Sequence, residues 1–168
     1  MNKHKIIISL FVFLVILLLP NCAIKKRVEA TPMPTHIEKP PELLWQDATR
    51  FLRNKNYTEA ASTFEEIDKQ HPYSKLAKQG QVMSAYTYYI SSDYNNSLYA
   101  IDRFIALYPA DKKTIPYMLY LKGLCYYEQI NDVNLDQEPS RNARNAYEEL
   151  IKKYPNSKII KTLKKRCY

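Results

Sequence analysis

The chain has 168 residues, a formal net charge of +8, 15 tyrosines, 10 prolines and 2 glycines. That length admits one folded domain together with a targeting segment. Three scattered histidines supply no Ser/His/Asp arrangement and two isolated glycines supply no phosphate-cradling loop, so no enzyme chemistry and no cofactor are predicted.

The first segment, residues 1–21, pairs the basic Lys3 and Lys5 with an apolar run from Ile6 to Leu19 that only Ser9 interrupts. Such a run fits a signal-peptide core and falls short of the ~20 residues that span a membrane. It ends in Leu19-Pro20-Asn21-Cys22-Ala23, which resembles the bacterial lipobox, with Asn21 where that pattern has a small residue. Cys22 is therefore the predicted lipidation site. Residues 22–41 hold Pro32, Pro34, Pro40 and Pro41 without apolar periodicity and read as an extended tether, with a reach of about 60 Å.

From Glu42 onward the pattern is helical, and the prolines disclose a repeat. Pro72, Pro109 and Pro155 follow His71, Tyr108 and Tyr154, and precede Ser74, Asp111 and Ser157 by two residues. Eight positions before each proline stand Phe64, Ile101 and Tyr147; five before stand Ile67, Phe104 and Leu150. Nine before stand Thr63, Ala100 and Ala146; twelve before stand Ala60, Ser97 and Ala143. Small and large positions thus recur in one register, at spacings of 37 and 46 residues, near the 34 of tetratricopeptide units. Tyr57, Ala60, Ala61, Phe64 and Ile67 follow the stripe of a helix that buries one face. Asn56 with Glu59 predicts a capping box, and each proline blocks continuation of the helix before it.

The expected fold is all-α, a tetratricopeptide-like α-solenoid of about three helix-turn-helix repeats plus one extra helix. The repeat domain spans 42–168. Its repeats cover about 42–72, with helices near 42–54 and 57–70; 74–109, with helices near 74–91 and 94–108; and 114–155, with helices near 114–129 and 140–154. The start of a fourth falls at 157–168. The longer second interval belongs to the loop around Asn131 to Pro139.

That loop contains Asp132-Val-Asn134-Leu-Asp136-Gln137, which begins like a calcium loop. It fails at its sixth position, where Gln137 replaces glycine, and at its twelfth, where Ala143 replaces glutamate; no metal is predicted. Cys125 reads as helix packing. Residues 152–168 carry six lysines and Arg166 with no acid. In an exported chain this is a solvated face or an attraction to anionic lipid rather than a nucleic-acid site. Tyrosines cluster at 86, 88 and 89 and at 117, 120, 126 and 127. Neighbours such as Tyr88 and Tyr89 do not both face a core, so some line a surface for peptide. The candidate partner-binding residues are Tyr86, Tyr89, Tyr120, Tyr127, Asp132 and Asp136.

The stretches FEEIDKQHPYSKLAKQGQVMSAYTYY (64–89), AIDRFIALYP (100–109) and YLKGLCYYEQINDVNLDQE (120–138) resemble the BamD (ComL) family. These are tetratricopeptide lipoproteins of the outer-membrane β-barrel assembly machine. The resemblance covers roughly 42–168. It implies a non-enzymatic scaffold, lipid-anchored to the periplasmic side of the outer membrane. The implied partners are the barrel-forming subunit, other assembly lipoproteins and unfolded β-barrel substrates, which the first repeats help receive. It also implies five repeats, the later ones carrying much of the docking, whereas residue 168 falls inside the first helix of the fourth. That departure leaves open a shortened working form or a truncated remnant of marginal stability; a different periplasmic tetratricopeptide adaptor is a separate alternative, against which the motif at 120–138 argues.

Overall fold

Proline marks where three of the helices begin. The computed structural model describes residues 38–130 and 137–161. The signal segment, Cys22, the tether through residue 37, Asp132, Asp136 and Cys167 lie outside the described residues. Six helices run through them: α1 (Pro41–Arg53), α2 (Tyr57–Gln70), α3 (Lys75–Ile90), α4 (Tyr94–Leu107), α5 (Ile115–Tyr127) and α6 (Glu138–Lys153). Pro41, Pro116 and Pro139 occupy the first positions of α1, α5 and α6, where the missing N–H leaves no helical bond unmade. A further helical turn opens at Lys158 and is described as far as Lys161.

Each helix packs on the next in the chain, and the first helices of neighbouring pairs also touch, α1 with α3 and α3 with α5. This nearest-neighbour pattern is that of a tetratricopeptide-like α-solenoid. The repeat register shows in its interior. Ala60, Ser97 and Ala143 are buried, and so are Phe64 and Ile101 and the trio Ile67, Phe104 and Leu150. Small side chains bring one helix close to its neighbour and the large ones fill the space beside them. Each buried Phe, Ile or Leu contributes about 1.5–3 kcal/mol. Thr63 departs from the register: it is half-buried, and its hydroxyl donates to the Glu59 carbonyl at 2.6 Å.

Two recurring turns join the helices. Between repeats, His71, Tyr108 and Tyr154 leave helical geometry at φ −133°, −125° and −133°, as a residue before proline must. Each keeps its N–H on the carbonyl four residues back, at 2.9 Å in all three cases. Each also accepts from the N–H three residues on, at 2.9, 3.0 and 3.0 Å. Within repeats one and two the turn is a Schellman motif. Asn56 N–H reaches Phe51 O and Lys55 N–H reaches Leu52 O; Asp93 and Ser92 do the same to Tyr88 and Tyr89. Lys55 and Ser92 pay for this with φ of 62° and 63°.

The predicted capping box at α2 does not form. Asn56 is the N-cap, but its side chain makes no cap hydrogen bond. Its backbone is instead committed to the Schellman turn, and the Glu59 carbonyl accepts from Ser62 and Thr63. The packing role read for Cys125 is what the structure shows: the thiol is free and buried, with Sγ 3.2 Å from Ser97 Oγ. Burial pushes its pKa up to about 11, despite the Ser97 contact, so it stays protonated and unreactive.

Candidate functional site

The first helices carry the tyrosines. On α3, residues 79, 82, 86 and 89 form one stripe at i, i+3, i+7 and i+10; on α5, residues 117, 120, 124 and 127 form another. α5 is apolar nearly all round because it lies between α4 and α6, so its tyrosine stripe is the partly open edge of an otherwise buried helix. The two stripes meet. Tyr86, Tyr120 and Tyr89 all lie close enough to Tyr117 to add to the effect of burial, which pushes the Tyr117 phenol up to about 12.

α6 completes the wall with Tyr147, whose ring centroid is 6.3 Å from that of Tyr120. Burial again leads in raising Tyr147 to about 12, with Tyr120, Tyr89, Cys125 and Tyr127 adding to it. Tyr147 reaches this position because α5 has no side chain at Gly123. A Cβ there would stand 2.3 Å from the Tyr147 ring. Tyr89 also stacks obliquely on Tyr94 at 6.1 Å, and burial raises its phenol first, with Glu128 next. The raised phenols of Tyr89, Tyr117 and Tyr147 remain neutral, with O–H groups ready to donate, throughout the physiological range.

The predicted residues thus divide. Tyr86, Tyr89 and Tyr120 come together around Tyr117, and Tyr127, 60% exposed, stands at the far end of the same α5 stripe. Asp132 and Asp136 lie outside the described residues. Tyr88 turns away toward α2, where burial and then Glu65 push its phenol up to about 12. Tyr117 and Tyr147 belong to the surface but were not among the predicted residues. The signal for Tyr117 was available, since it shares a helical stripe with Tyr120 and Tyr127. Tyr147 needed the contact with Gly123.

Toward the amino-terminal repeat the surface continues into a cleft of about 340 Å³, lined by Trp45, Lys78, Gln79, Val82, Met83 and Thr114. Trp45 is held edge-on to Phe64 at 5.2 Å. Lys78 faces the Tyr108 ring at 5.8 Å and the Asp111 carboxylate at 2.5 Å. The arrangement is aromatic, with few charges and open to solvent, which suits reversible contact with polypeptide. Among the described residues no group of His, Cys, Asp and Glu is placed to hold a metal ion, and no helix is long and apolar enough to cross a membrane.

Similarity to known proteins follows the repeat body. Residues 37–168 match the family model described as YfiO, outer membrane lipoprotein. A Caulobacter vibrioides protein named outer membrane protein assembly factor BamD is 37% identical over 126 residues, 75% of this chain and 41% of that protein. The Rickettsia prowazekii protein of the same name is 35% identical over 122 residues, 73% of this chain and 48% of the relative. That of Neisseria meningitidis serogroup B is 34% identical over 127 residues, with shares of 70% and 47%. The chain therefore spans less than half the length of each of these relatives. With a family match that begins at the foot of α1 and runs to residue 168, the chain belongs to the YfiO (BamD) family of outer membrane lipoproteins.

Proposed function

We propose that the protein is a component of the outer-membrane protein assembly machinery, a lipid-anchored periplasmic scaffold that helps recruit and insert β-barrel proteins. Cys22 carries the lipid, and the Pro-rich segment 22–41 spaces the repeat body from the membrane. The proposed partners are the barrel-forming subunit, other assembly lipoproteins and unfolded β-barrel chains. Tyr86, Tyr89, Tyr120 and Tyr127 contact an extended segment of such a chain, together with Asp132 and Asp136, which follow α5 in the sequence. The observation that carries this reading is the family match over 37–168. It is supported by an aromatic surface with the composition of protein interfaces, since tyrosine and tryptophan bury large area at small entropic cost.

The test is affinity purification of the full chain from membranes solubilised in mild detergent. A large outer-membrane β-barrel protein is expected to co-purify, and its reproducible absence counts against the reading. Replacing Tyr86 and Tyr120 together by alanine is expected to weaken capture of an unfolded β-barrel chain at least tenfold. Helicity by circular dichroism should remain that of the parent. Unchanged capture removes the tyrosine surface from the proposal while leaving the scaffold role to the first measurement.

A further inference from the structure

A second cleft lies on another side of α3. Gln81 and Ser84 stand five residues before Tyr86 and Tyr89, which is ~140° around a helix of 3.6 residues per turn. They face α2 and α4 instead of the tyrosine surface. The cleft holds about 390 Å³, and Glu65, Lys69, Gln81, Ser84, Tyr99 and Arg103 line it. That volume lies in the range of ligand-binding clefts.

The charges of this cleft are already matched. Lys69 Nζ is 3.5 Å from Glu65 Oε2, and Arg103 Nη2 is 2.5 Å from Asp68 Oδ2. Ser84 donates to Glu65 Oε1 at 3.3 Å. An ionic ligand would have to break one of these pairs, whereas a neutral one leaves them intact.

Gln81 is the exception to this matching. Its side chain is only 3% exposed, and neither its carboxamide nitrogen nor its oxygen has a hydrogen-bond partner among the described residues. Buried amides are almost always paired, because leaving one unpaired costs free energy. A carboxamide offers a donor and an acceptor side by side in one plane. A residue of an extended chain offers the complementary pair, its own C=O acceptor and N–H donor directed to the same side, as in an antiparallel ladder. Tyr99, 69% exposed, stands at the rim with an aromatic ring that no core contact requires.

We propose that this cleft binds an extended, uncharged stretch of polypeptide, one of whose residues pairs its own backbone N–H and C=O with the Gln81 carboxamide through two hydrogen bonds beside the Tyr99 ring. The site is separate from the tyrosine surface and does not depend on the role given to it.

The experiment uses the full chain in detergent micelles with ¹⁵N-labelled glutamine side chains. The probe is an acetylated, amidated pentapeptide of alternating threonine and valine, extended by preference and free of charge and aromatic rings. The Gln81 NH₂ resonances are expected to shift on titration, and the same peptide with methylated backbone nitrogens is expected to leave them in place. Gln81→Met, which keeps the volume and removes the amide, should weaken binding at least tenfold, while Ile151→Ala, at an exposed position of α6 outside both surfaces, leaves it unchanged. Should Gln81→Met fail to fold, the comparison of the two peptides decides alone. The proposal is overturned if the resonances stay put at millimolar peptide, if the methylated peptide shifts them equally, or if Ile151→Ala weakens binding as much as Gln81→Met.

Discussion

Single residues in this protein hold backbone conformations that the sequence gives little sign of. Lys55 and Ser92 occupy equivalent Schellman positions with φ near +60°, where a side chain clashes with its own backbone and glycine does not. Lys55→Gly and Ser92→Gly are each expected to stabilise the fold by roughly 0.5–1 kcal/mol, a gain read as an increase in the urea midpoint at unchanged m-value. Loss of stability in either variant would contradict the turn assignment. Asp111 gives a second expectation. Burial pushes its pKa up, but the Lys78 contact, Thr114 and the backbone N–H groups of Thr114 and Lys113 outweigh that and hold it at about 2. The Lys78 ammonium meets Oδ2 as an ion pair, off the hydrogen-bonding angle, while Oδ1 accepts at 3.1 Å from each backbone N–H. A depressed carboxylate stabilises the fold above its unfolded pKa and loses that contribution as pH falls through the folded value. Roughly 1–2 kcal/mol should therefore disappear between about pH 4 and pH 2, and Asp111→Asn should flatten that part of the pH profile measured by urea unfolding.

At the scale of helices, the aligned prolines made the repeat legible, because a proline corner and a small–large register leave direct marks on composition. The helices expected to end near 54 and 91 do end at Arg53 and Ile90, but the kind of turn that follows α1 and α3 was not legible. Schellman turns usually announce themselves with glycine, and Lys55 and Ser92 hide them; the Asn56 and Glu59 pair then suggested a cap that the turn replaces. The tyrosine surface was half legible, since helical spacing relates Tyr117 to Tyr120, but Tyr147 depends on the missing side chain at Gly123. The two glycines also differ. A Cβ at Gly80 would meet the Phe64 carbonyl oxygen at 2.7 Å, a backbone atom of α2, whereas one at Gly123 meets a side chain, the ring of Tyr147. Alanine improves intrinsic helix propensity by about 1 kcal/mol at both sites. Gly80→Ala is nevertheless expected to destabilise by about 1–3 kcal/mol, because two helices must separate. Gly123→Ala should cost less and instead displace Tyr147, seen as a fall in its phenol pKa by ultraviolet titration. Equal stability losses would mean that α5 and α6 are held as rigidly as α2 and α3.

Across the described residues, buried side chains fall into two clusters. One is built on Leu44, Ala48, Phe64 and Ile67; the other extends from Ala85 through Phe104 and Met118 to Leu150 and Ile160. Perturbations in separate clusters should therefore add. Phe64→Ala and Leu150→Ala are each expected to cost about 2–5 kcal/mol, and the double variant should match their sum within about 0.5 kcal/mol by denaturant unfolding. A larger departure would reveal coupling through α3. How the chain enters α1 bears on mechanics as well. Lys39 is fastened three ways: its N–H donates to Gln70 Oε1 at 3.1 Å, its carbonyl lies 2.6 Å from His71 Nε2, and its ammonium pairs with Asp47 at 3.0 Å. A pull arriving from the amino-terminal side meets two bonds to the corner that closes α2 before it reaches α1. Load is thus shared by both helices of the first repeat, in shear, instead of peeling α1 away one turn at a time.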